Sequence, residues 1–173
     1  RAIEQEAPTS KSVRFKWREH VTKTVSENGE ALEKFCNALK DGNSEVVEQS
    51  LNNYLKRTIS IRDTFVKKQM KENFYHGILL GILGFQQNWS VSSNKESGDG
   101  YSDILIETED QETGIIIEIK YAETGNLEAV SKDALKQIED RRYEEQLLEE
   151  GVEHILKYGI AFYKKKCKVM AVK

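Results

Sequence analysis

Two short isoleucine-rich runs separated by an acidic tract constrain the fold of this chain most. The runs occupy residues 104–106 and 115–117, and the tract between them, 107–113, is followed by Gly114. Short apolar runs joined by a polar, glycine-containing segment are typical of two antiparallel strands and their turn. The pattern therefore predicts a β-hairpin, and we expect the rest of the chain to be organised around it.

Three ionisable residues lie on the strands of this predicted hairpin. Asp103 opens the first strand, and Glu118 and Lys120 are two residues apart on the second. Because successive side chains of a strand point to opposite faces, Glu118 and Lys120 share a face. We expect them to converge with Asp103 beside apolar neighbours, where charges need a partner or an ion. For the Glu-x-Lys pattern alone, a cross-strand pair on a solvated face is the alternative.

The order of Asp103 followed by Glu118, Ile119 and Lys120 resembles the PD-(D/E)XK nuclease superfamily. The resemblance is closest to a branch at the C-terminus of large prokaryotic proteins that begin with an AAA-ATPase-like domain. The position before the aspartate is Ser102, whereas the superfamily signature has proline there. Further matching segments occur in the family's order and cover most of the chain after Ser60. They are 72–77 with 79–81, 93–98, 134–138 and 158–162.

The resemblance implies a site for Mg²⁺ or Mn²⁺, which prefer hard oxygen ligands and keep several waters. In the superfamily a glutamate on a helix leans over the sheet and helps to hold the metal, and Glu72 matches that position. A solvated partner of Lys68 or His76 on the same helix is the alternative for Glu72. The implied metal ligands are Asp103, Glu118, the main-chain carbonyl of Ile119, and Glu72.

The resemblance also implies roles for Lys120 and Gln137 in hydrolysis of a phosphodiester. Lys120 would orient or help to deprotonate the attacking water and offset charge on the scissile phosphate. Positioning is the safer role, because a lysine beside two carboxylates stays protonated until the metal binds. Gln137, on the helix after the hairpin, would bond the water or the phosphate. An exposed helical glutamine explains that residue equally well.

The resemblance implies metal-dependent hydrolysis of nucleic acid, DNA in preference to RNA, by one domain of an ATPase-linked protein. The chain begins with Arg1 and lacks a Gly-x-x-x-x-Gly-Lys-Ser/Thr loop. We therefore expect the N-terminal ATPase-like domain of the same full-length protein to lie outside this sequence. A catalytically silent domain of the same fold that regulates or tethers the ATPase or a protein partner is the alternative. A helical interaction domain over 11–86 is a third hypothesis.

Composition limits the partners and the compartment. The formal net charge of −3 gives no bulk attraction for nucleic acid, so binding would depend on local basic clusters such as 164–168. No apolar run approaches the length of about 18 residues needed to span a membrane, and no signal peptide is visible. The spacing of Cys36 and Cys167 matches no disulfide motif, so we predict that both are reduced thiols. We expect a cytoplasmic protein.

Hydrophobic periodicity predicts four helices before the sheet. Val13, Trp17 and Val21 recur at helical spacing, although Val13, Phe15 and Trp17 also alternate with basic residues as in a strand or a nucleic-acid-binding strip. The second and third helices are predicted around 32–39 and 46–55. The third is capped by Asn43 or Ser44, and the fourth begins with Ser60 as its N-cap.

The fourth predicted helix is apolar over a wide arc and should be largely covered. Its main stripe is Val66, Met70, Phe74, Ile78 and Ile82, with Tyr75, Leu79 and Leu83 beside it. Each glycine inside a helix costs about 1 kcal/mol relative to alanine. Because Gly77, Gly81 and Gly84 form a strip on this helix, we expect another backbone to pack closely there.

After Asn88 the period changes towards two, and five strands are predicted, at 89–93, 101–107, 114–121, 158–163 and 168–172. A helix capped by Asn126 and continuing to Leu148 separates the third strand from the fourth, which implies a parallel crossover and a mixed sheet. The element order matches the restriction-endonuclease-like fold. We therefore predict an α/β fold with a mixed β-sheet flanked by helices. We place an N-terminal helical extension at 1–58 and the nuclease-like domain at 59–173.

Overall fold

The computed structural model describes residues 29–58, 68–96, 100–140 and 143–173. The chain divides into two compact units, 1–34 and 35–173, and the second contains the whole sheet. The predicted helix around Val13 and the predicted helix start at Ser60 lie outside the described residues. Among the described helices, none is both long enough and apolar enough to cross a membrane. The domain boundary predicted between residues 58 and 59 stays a prediction.

The sheet has five strands in the order β1-β2-β3-β4-β5. Neighbouring strands are antiparallel except β3 and β4, which are parallel. The predicted hairpin, crossover and mixed sheet are therefore confirmed. The strands are β1 Ser90–Glu96, β2 Gly100–Glu107, β3 Thr113–Tyr121, β4 His154–Tyr163 and β5 Lys166–Val172.

Five helices are described around the sheet. Asn43 Oδ1 accepts a hydrogen bond from Val46 N, and Asn126 Oδ1 accepts one from Ala129 N, so both asparagines cap helices as predicted. The single helix predicted from Asn126 to Leu148 is described as two helices. The helices are α1 Gly29–Asp41, α2 Ser44–Thr58, α3 Lys68–Leu83, α4 Leu127–Asp140 and α5 Tyr143–Glu149.

The helices cover both faces of the sheet, which gives three layers. On one face, Ile116 packs with Ile138 of α4 and Leu147 of α5. On the other face, α3 packs against β2 and β3, and the Tyr158 hydroxyl donates to Leu39 O of α1 at 2.7 Å. The strands are apolar on both faces because both are covered. The α/β class with helices flanking a mixed sheet is confirmed.

The buried line of α3 differs from the predicted main stripe. Tyr75, Leu79 and Leu83 are fully buried, whereas Phe74 is exposed. The ring of Tyr75 stacks on Phe162 of β4 with a centroid distance of 4.4 Å, and this contact turns the helix towards the 75/79/83 line. Within the described parts of the chain, the expected close packing is not found at two of the three glycines of this strip. No described residue lies within 4 Å of a Cβ added at Gly77 or Gly81.

The two cysteines are buried free thiols, as predicted. Burial, with a smaller contribution from Glu109, raises the pKa of Cys36 to about 11. Burial, with a smaller contribution from Glu48, raises the pKa of Cys167 to about 12. Because only the thiolate reacts with alkylating reagents, both thiols should be inert in the folded protein.

We predict that iodoacetamide leaves the folded protein unmodified at mildly alkaline pH. A raised pKa keeps a thiol protonated until the pH approaches that value, and burial also denies the reagent access. Intact-protein mass spectrometry should show no adduct in native buffer and two adducts in guanidinium chloride, one for each cysteine of the sequence. Rapid alkylation of either thiol in native buffer would contradict the buried placement.

Candidate active site

Asp103 and Glu118 are directly opposite each other at the end of the β2–β3 ladder. The amide of Ala122 donates to Phe162 O on β4, so by alternation the amides of even-numbered β3 residues face β4. The Asp103–Glu118 pair is therefore of the non-hydrogen-bonded type, in which side chains approach most closely, with Cβ atoms about 5 Å apart. Asp103 is 0% exposed and Glu118 is 1% exposed. Asp103 and Glu118 therefore lie on the same face of the sheet at directly opposite positions, as predicted.

A β-bulge lies immediately before Asp103. In the β1–β2 ladder, Asn94 pairs with Asp103 and Lys95 pairs with Tyr101, so Ser102 is the extra residue on β2. Bulges bend a strand and re-aim the adjacent side chain, and they tolerate proline because the ladder is interrupted there. Serine at this position, where the sequence resemblance expects proline, is therefore compatible with the same local backbone.

Lys120 lies two residues beyond Glu118 on the same face of β3, as predicted. Its side chain is half-buried. The side chain of Ile119 is buried on the opposite face, so this residue can contribute only main-chain atoms to the site. By the same alternation, the Ile119 carbonyl is directed towards β2 and hence towards the Asp103 side of the strand.

Helix α4 covers the face that carries Glu118, and Gly159 makes the close approach possible. Gly159 is the β4 partner of Glu118. A Cβ on Gly159 would overlap the carbonyl oxygen of Ser131 and lie 2.9 Å from the amide nitrogen of Leu135. The hydroxyl of Ser131 donates to Gly159 O at 2.7 Å. A glycine inside a predicted strand is the sequence signal for such an approach.

Gln137 occupies the flank of α4 opposite to Leu135. Ala134 and Ile138 form the buried stripe of the helix, and a step of 100° per residue places Leu135 on one side of that stripe and Gln137 on the other. Because Leu135 lies against Gly159 of β4, the helical step places Gln137 on the flank of the helix nearer β3. Its side chain is half-buried. A role for Gln137 in chemistry stays a prediction.

Glu72 reaches the same end of the hairpin from α3. Its Oε1 accepts a hydrogen bond from Tyr121 N at 3.1 Å. That amide faces β2 beyond the last pair of the ladder, so the carboxylate lies in the gap where the two strands separate. Within the described parts of the chain, no group of three or more His, Cys, Asp and Glu side chains could hold a metal. Glu72 thus does not complete a three-carboxylate group, and its role as a ligand stays a prediction.

His76, one turn after Glu72, connects α3 to β1 and β2. Its Nε2 lies 3.1 Å from Ser93 Oγ, and its ring also hydrogen-bonds to the main chain of Asp103. Burial lowers the pKa of His76, and the bond to Asp103 offsets part of that lowering. Glu72 and His76 therefore fix the main chains of β3 and β2 on either side of the carboxylate pair. The i,i+4 spacing was visible in the sequence, but the contacts with the strands were not.

The donor set fits a small divalent cation. Two adjacent carboxylates repel each other in a low-dielectric site, and a cation between them removes that repulsion. Mg²⁺ usually takes one or two protein carboxylates and fills its octahedron with water, so Asp103 and Glu118 are sufficient. Both proposed side-chain ligands are carboxylates, whereas structural zinc sites are built from cysteine and histidine, so this donor set disfavours a structural zinc site. The residues present suit the predicted Mg²⁺ or Mn²⁺.

We predict that Glu72→Gln retains most activity whereas Glu72→Ala lowers kcat by about 10- to 100-fold. The glutamine keeps an acceptor oxygen for Tyr121 N, but alanine frees the strand end, and small displacements of catalytic groups have effects of this size. The measurements are kcat and the Mn²⁺ dissociation constant by calorimetry. Equal loss of metal affinity in both variants would instead make Glu72 a metal ligand.

Comparison with known proteins returned one family. The sequence model described as PD-(D/E)XK nuclease superfamily matches residues 70–172, which include every strand of the sheet and the carboxylate pair. The observed sheet and helices are consistent with the predicted restriction-endonuclease-like fold. The match is to the superfamily, and the ATPase-associated branch stays a prediction. No curated protein and no solved structure matched the chain.

Proposed function

The chain belongs to the PD-(D/E)XK nuclease superfamily, and from this premise we propose that it hydrolyses phosphodiester bonds of nucleic acid in a metal-dependent reaction. DNA is the proposed substrate in preference to RNA. The observation that supports the proposal most directly is the buried Asp103–Glu118 pair with Lys120 on the same face of β3. A mixed-sheet domain with only a structural role has no need of this costly group of charges.

In the proposed reaction, Asp103, Glu118 and the Ile119 carbonyl would hold Mg²⁺ or Mn²⁺, and Glu72 would either contact the ion or position the strand. When bound, the cation lowers the pKa of a coordinated water and neutralises charge on the phosphate. Lys120 orients the attacking water and donates hydrogen bonds to the scissile phosphate as a point charge.

Water exclusion and positioning come from the elements around this pair. Helix α4 lies against Gly159 and so keeps bulk solvent from the Glu118 side. Gln137 on that helix bonds the water or a phosphate oxygen. The low local dielectric strengthens each of these interactions relative to water.

A cleavage assay with Lys120→Ala tests the proposal. Linear duplex DNA, single-stranded DNA and RNA are incubated with the protein in Mg²⁺, Mn²⁺ or EDTA. The parent should cleave only with a divalent cation, and Lys120→Ala should be about 100-fold slower or worse, as expected for loss of a positioned water and phosphate contact. Lys136→Ala, on the exposed side of α4, serves as the matched lysine control. Cation-independent cleavage, or full activity of Lys120→Ala, would refute the proposal.

The proposal extends to the wider context implied by the resemblance. The domain would act beside an N-terminal ATPase-like domain of the same full-length protein, in the cytoplasm. The two free thiols agree with a reducing compartment. The competing hypothesis of a silent regulatory domain predicts no saturable Mn²⁺ binding, so calorimetry on the parent and on Asp103→Ala separates the two.

A further inference from the structure

Three consecutive lysines occupy the turn between β4 and β5 and the first position of β5, close to the candidate active site. We call Lys164, Lys165 and Lys166 the lysine turn. Lys120 on β3 is level with Ala161 on the parallel strand β4. The turn begins three residues after Ala161, so at about 3.3 Å per residue it lies about 10 Å beyond Lys120 along the strand direction.

The lysine turn is fixed in place by aromatic residues and not only by strand pairing. The hydroxyl of Tyr75 on α3 donates to Lys164 O at 2.5 Å. The Nζ of Lys164 lies 5.1 Å from the centre of the Tyr163 ring. A Cβ on Gly125 would lie 3.5 Å from Cε1 of that ring, so Tyr163 packs against the loop before α4. The turn therefore has a defined position relative to α3, which also carries Glu72 and His76.

Lys164 has a φ of 52°, in the left-handed region where glycine and asparagine are usual. A lysine at such a position costs stability that glycine would avoid. Strained backbone positions concentrate where function requires a particular side chain. The chain thus has a charged side chain at a position where the backbone conformation favours glycine, which has no side chain.

Charge is distributed unevenly between the two ends of the sheet. The β2–β3 turn at the opposite end carries Glu109, Asp110 and Glu112, and Lys40 forms ion pairs with the first two. At the near end, Lys71 Nζ lies 4.5 Å from the centre of the Tyr121 ring. The near end also has a negative charge, because Glu123 in the loop after β3 is exposed there.

Helix α2 adds two further cations at the near end. Asn52 bonds both the amide and the carbonyl of Cys167, and Glu48 Oε1 accepts from Val169 N. The helix therefore runs opposite to β5, and its last turn, with exposed Lys56 and Arg57, extends towards the lysine turn. A chain with a net charge of −3 thus concentrates positive charge beside the candidate active site.

We propose that the lysine turn binds the phosphodiester backbone of the DNA substrate, about three nucleotides from the bond that is cleaved. The inference rests on the proposed nuclease function. The spacing follows from the distance of about 10 Å and a rise of about 3.4 Å per nucleotide. Backbone contacts of this kind set affinity and register and carry no sequence preference.

The test measures DNA binding without cleavage. In an Asp103→Asn background, fluorescence anisotropy of a short labelled duplex is recorded over a range of KCl concentrations. Lys164→Gly/Lys165→Ala/Lys166→Ala should weaken binding by about 10-fold or more and reduce the magnitude of the salt slope by about 2 to 3, because each phosphate contact contributes about 0.9 to it. The variant should unfold at the same or a higher temperature, since glycine relieves the strain at Lys164.

The matched control removes three exposed lysines elsewhere. Lys132 and Lys136 lie on the exposed side of α4, and Lys173 lies beside Gly42 after α1. Lys132→Ala/Lys136→Ala/Lys173→Ala changes the net charge equally and should alter affinity by no more than about twofold.

Unchanged affinity of the lysine-turn variant, or equal losses in both triple variants, would overturn the inference. So would equal competition by polyglutamate and DNA, which would assign the turn to an acidic protein. Binding that depends on the turn, in a parent that never cleaves DNA, would leave this inference standing and refute the proposed function. DNA cleavage with a KM that is the same in the parent and in the lysine-turn variant would refute this inference and leave the proposed function standing.

Discussion

Glu118→Gln is expected to abolish Mn²⁺ binding and to lower the rate of DNA cleavage by about a thousandfold or more, and Asp103→Asn is expected to do the same. An amide has the shape of the carboxylate but not its charge, and it is a poor ligand for a hard cation. A thousandfold loss corresponds to about 4 kcal/mol of transition-state stabilisation. Single-turnover cleavage and calorimetry with Mn²⁺ are the measurements.

Thermal unfolding separates loss of the site from loss of the fold. The parent should gain about 2.7 kcal/mol of stability at a metal concentration 100 times the dissociation constant, and neither variant should gain any. Without metal, both variants should be at least as stable as the parent, because an amide removes repulsion between the buried carboxylates Asp103 and Glu118.

Glu107→Gln is the matched control for this pair of variants. Glu107 is on the same strand and the same face as Asp103, but it pairs with Gly114 at the other end of the ladder. Its replacement should leave cleavage and metal affinity unchanged. If Glu118→Gln cleaved DNA as fast as Glu107→Gln, the carboxylate pair would not be the site of the reaction.

Gly159→Ala is expected to destabilise the protein by about 3 kcal/mol or more and to reduce activity with it. The added methyl group would overlap Ser131 O and press on the amide of Leu135, so α4 must move away from β4. That movement also breaks the hydrogen bond from Ser131 Oγ and shifts the helix that carries Gln137. The melting temperature should fall by about 10 °C.

Gly81→Ala is the control for the same chemical change at a glycine with space around it. Gly81 is an exposed residue inside α3, and no described residue lies within 4 Å of the added Cβ. Alanine has the higher helix propensity, so this variant should be more stable by up to about 1 kcal/mol. A stable Gly159→Ala protein, or a strongly destabilised Gly81→Ala protein, would contradict the packing described for α4 and α3.

Local patterns were sufficient to predict the strands and their pairing. The isoleucine runs around Asp103 and Glu118 predicted the hairpin, and the helix between β3 and β4 predicted the parallel pair. The sequence predicted Asn126 as one helix cap and either Asn43 or Ser44 as another, because a cap is a short-range feature, formed with an amide three residues away. The structure selects Asn43 from that pair. These features depend on alternation, periodicity and sequence neighbours, all of which can be read from the order of the residues.

Contacts across the layers were not predictable in the same way. The sequence predicted that the main buried stripe of α3 runs through Phe74. In the structure the next residue, Tyr75, is buried and stacks on Phe162, and Phe74 is exposed. The glycine at 77 was expected to meet another backbone and meets none that is described, whereas Gly159 does. A glycine in the sequence shows that a close approach is possible, and only the packed layers show where one occurs.

By itself, the sequence determined that Glu118 and Lys120 share one face of a strand, because the period of a strand is fixed by backbone geometry. The register of the hairpin, which places Asp103 directly opposite Glu118 and so on the same face, came from the structure. Only the tertiary structure decided what holds that hairpin end in place. Glu72 bonds the main chain of Tyr121, 49 residues away, and His76 bonds Ser93 and the main chain of Asp103. Such contacts depend on the angle and depth at which α3 packs on the sheet, which follow from the fit of many side chains at once and from no local pattern.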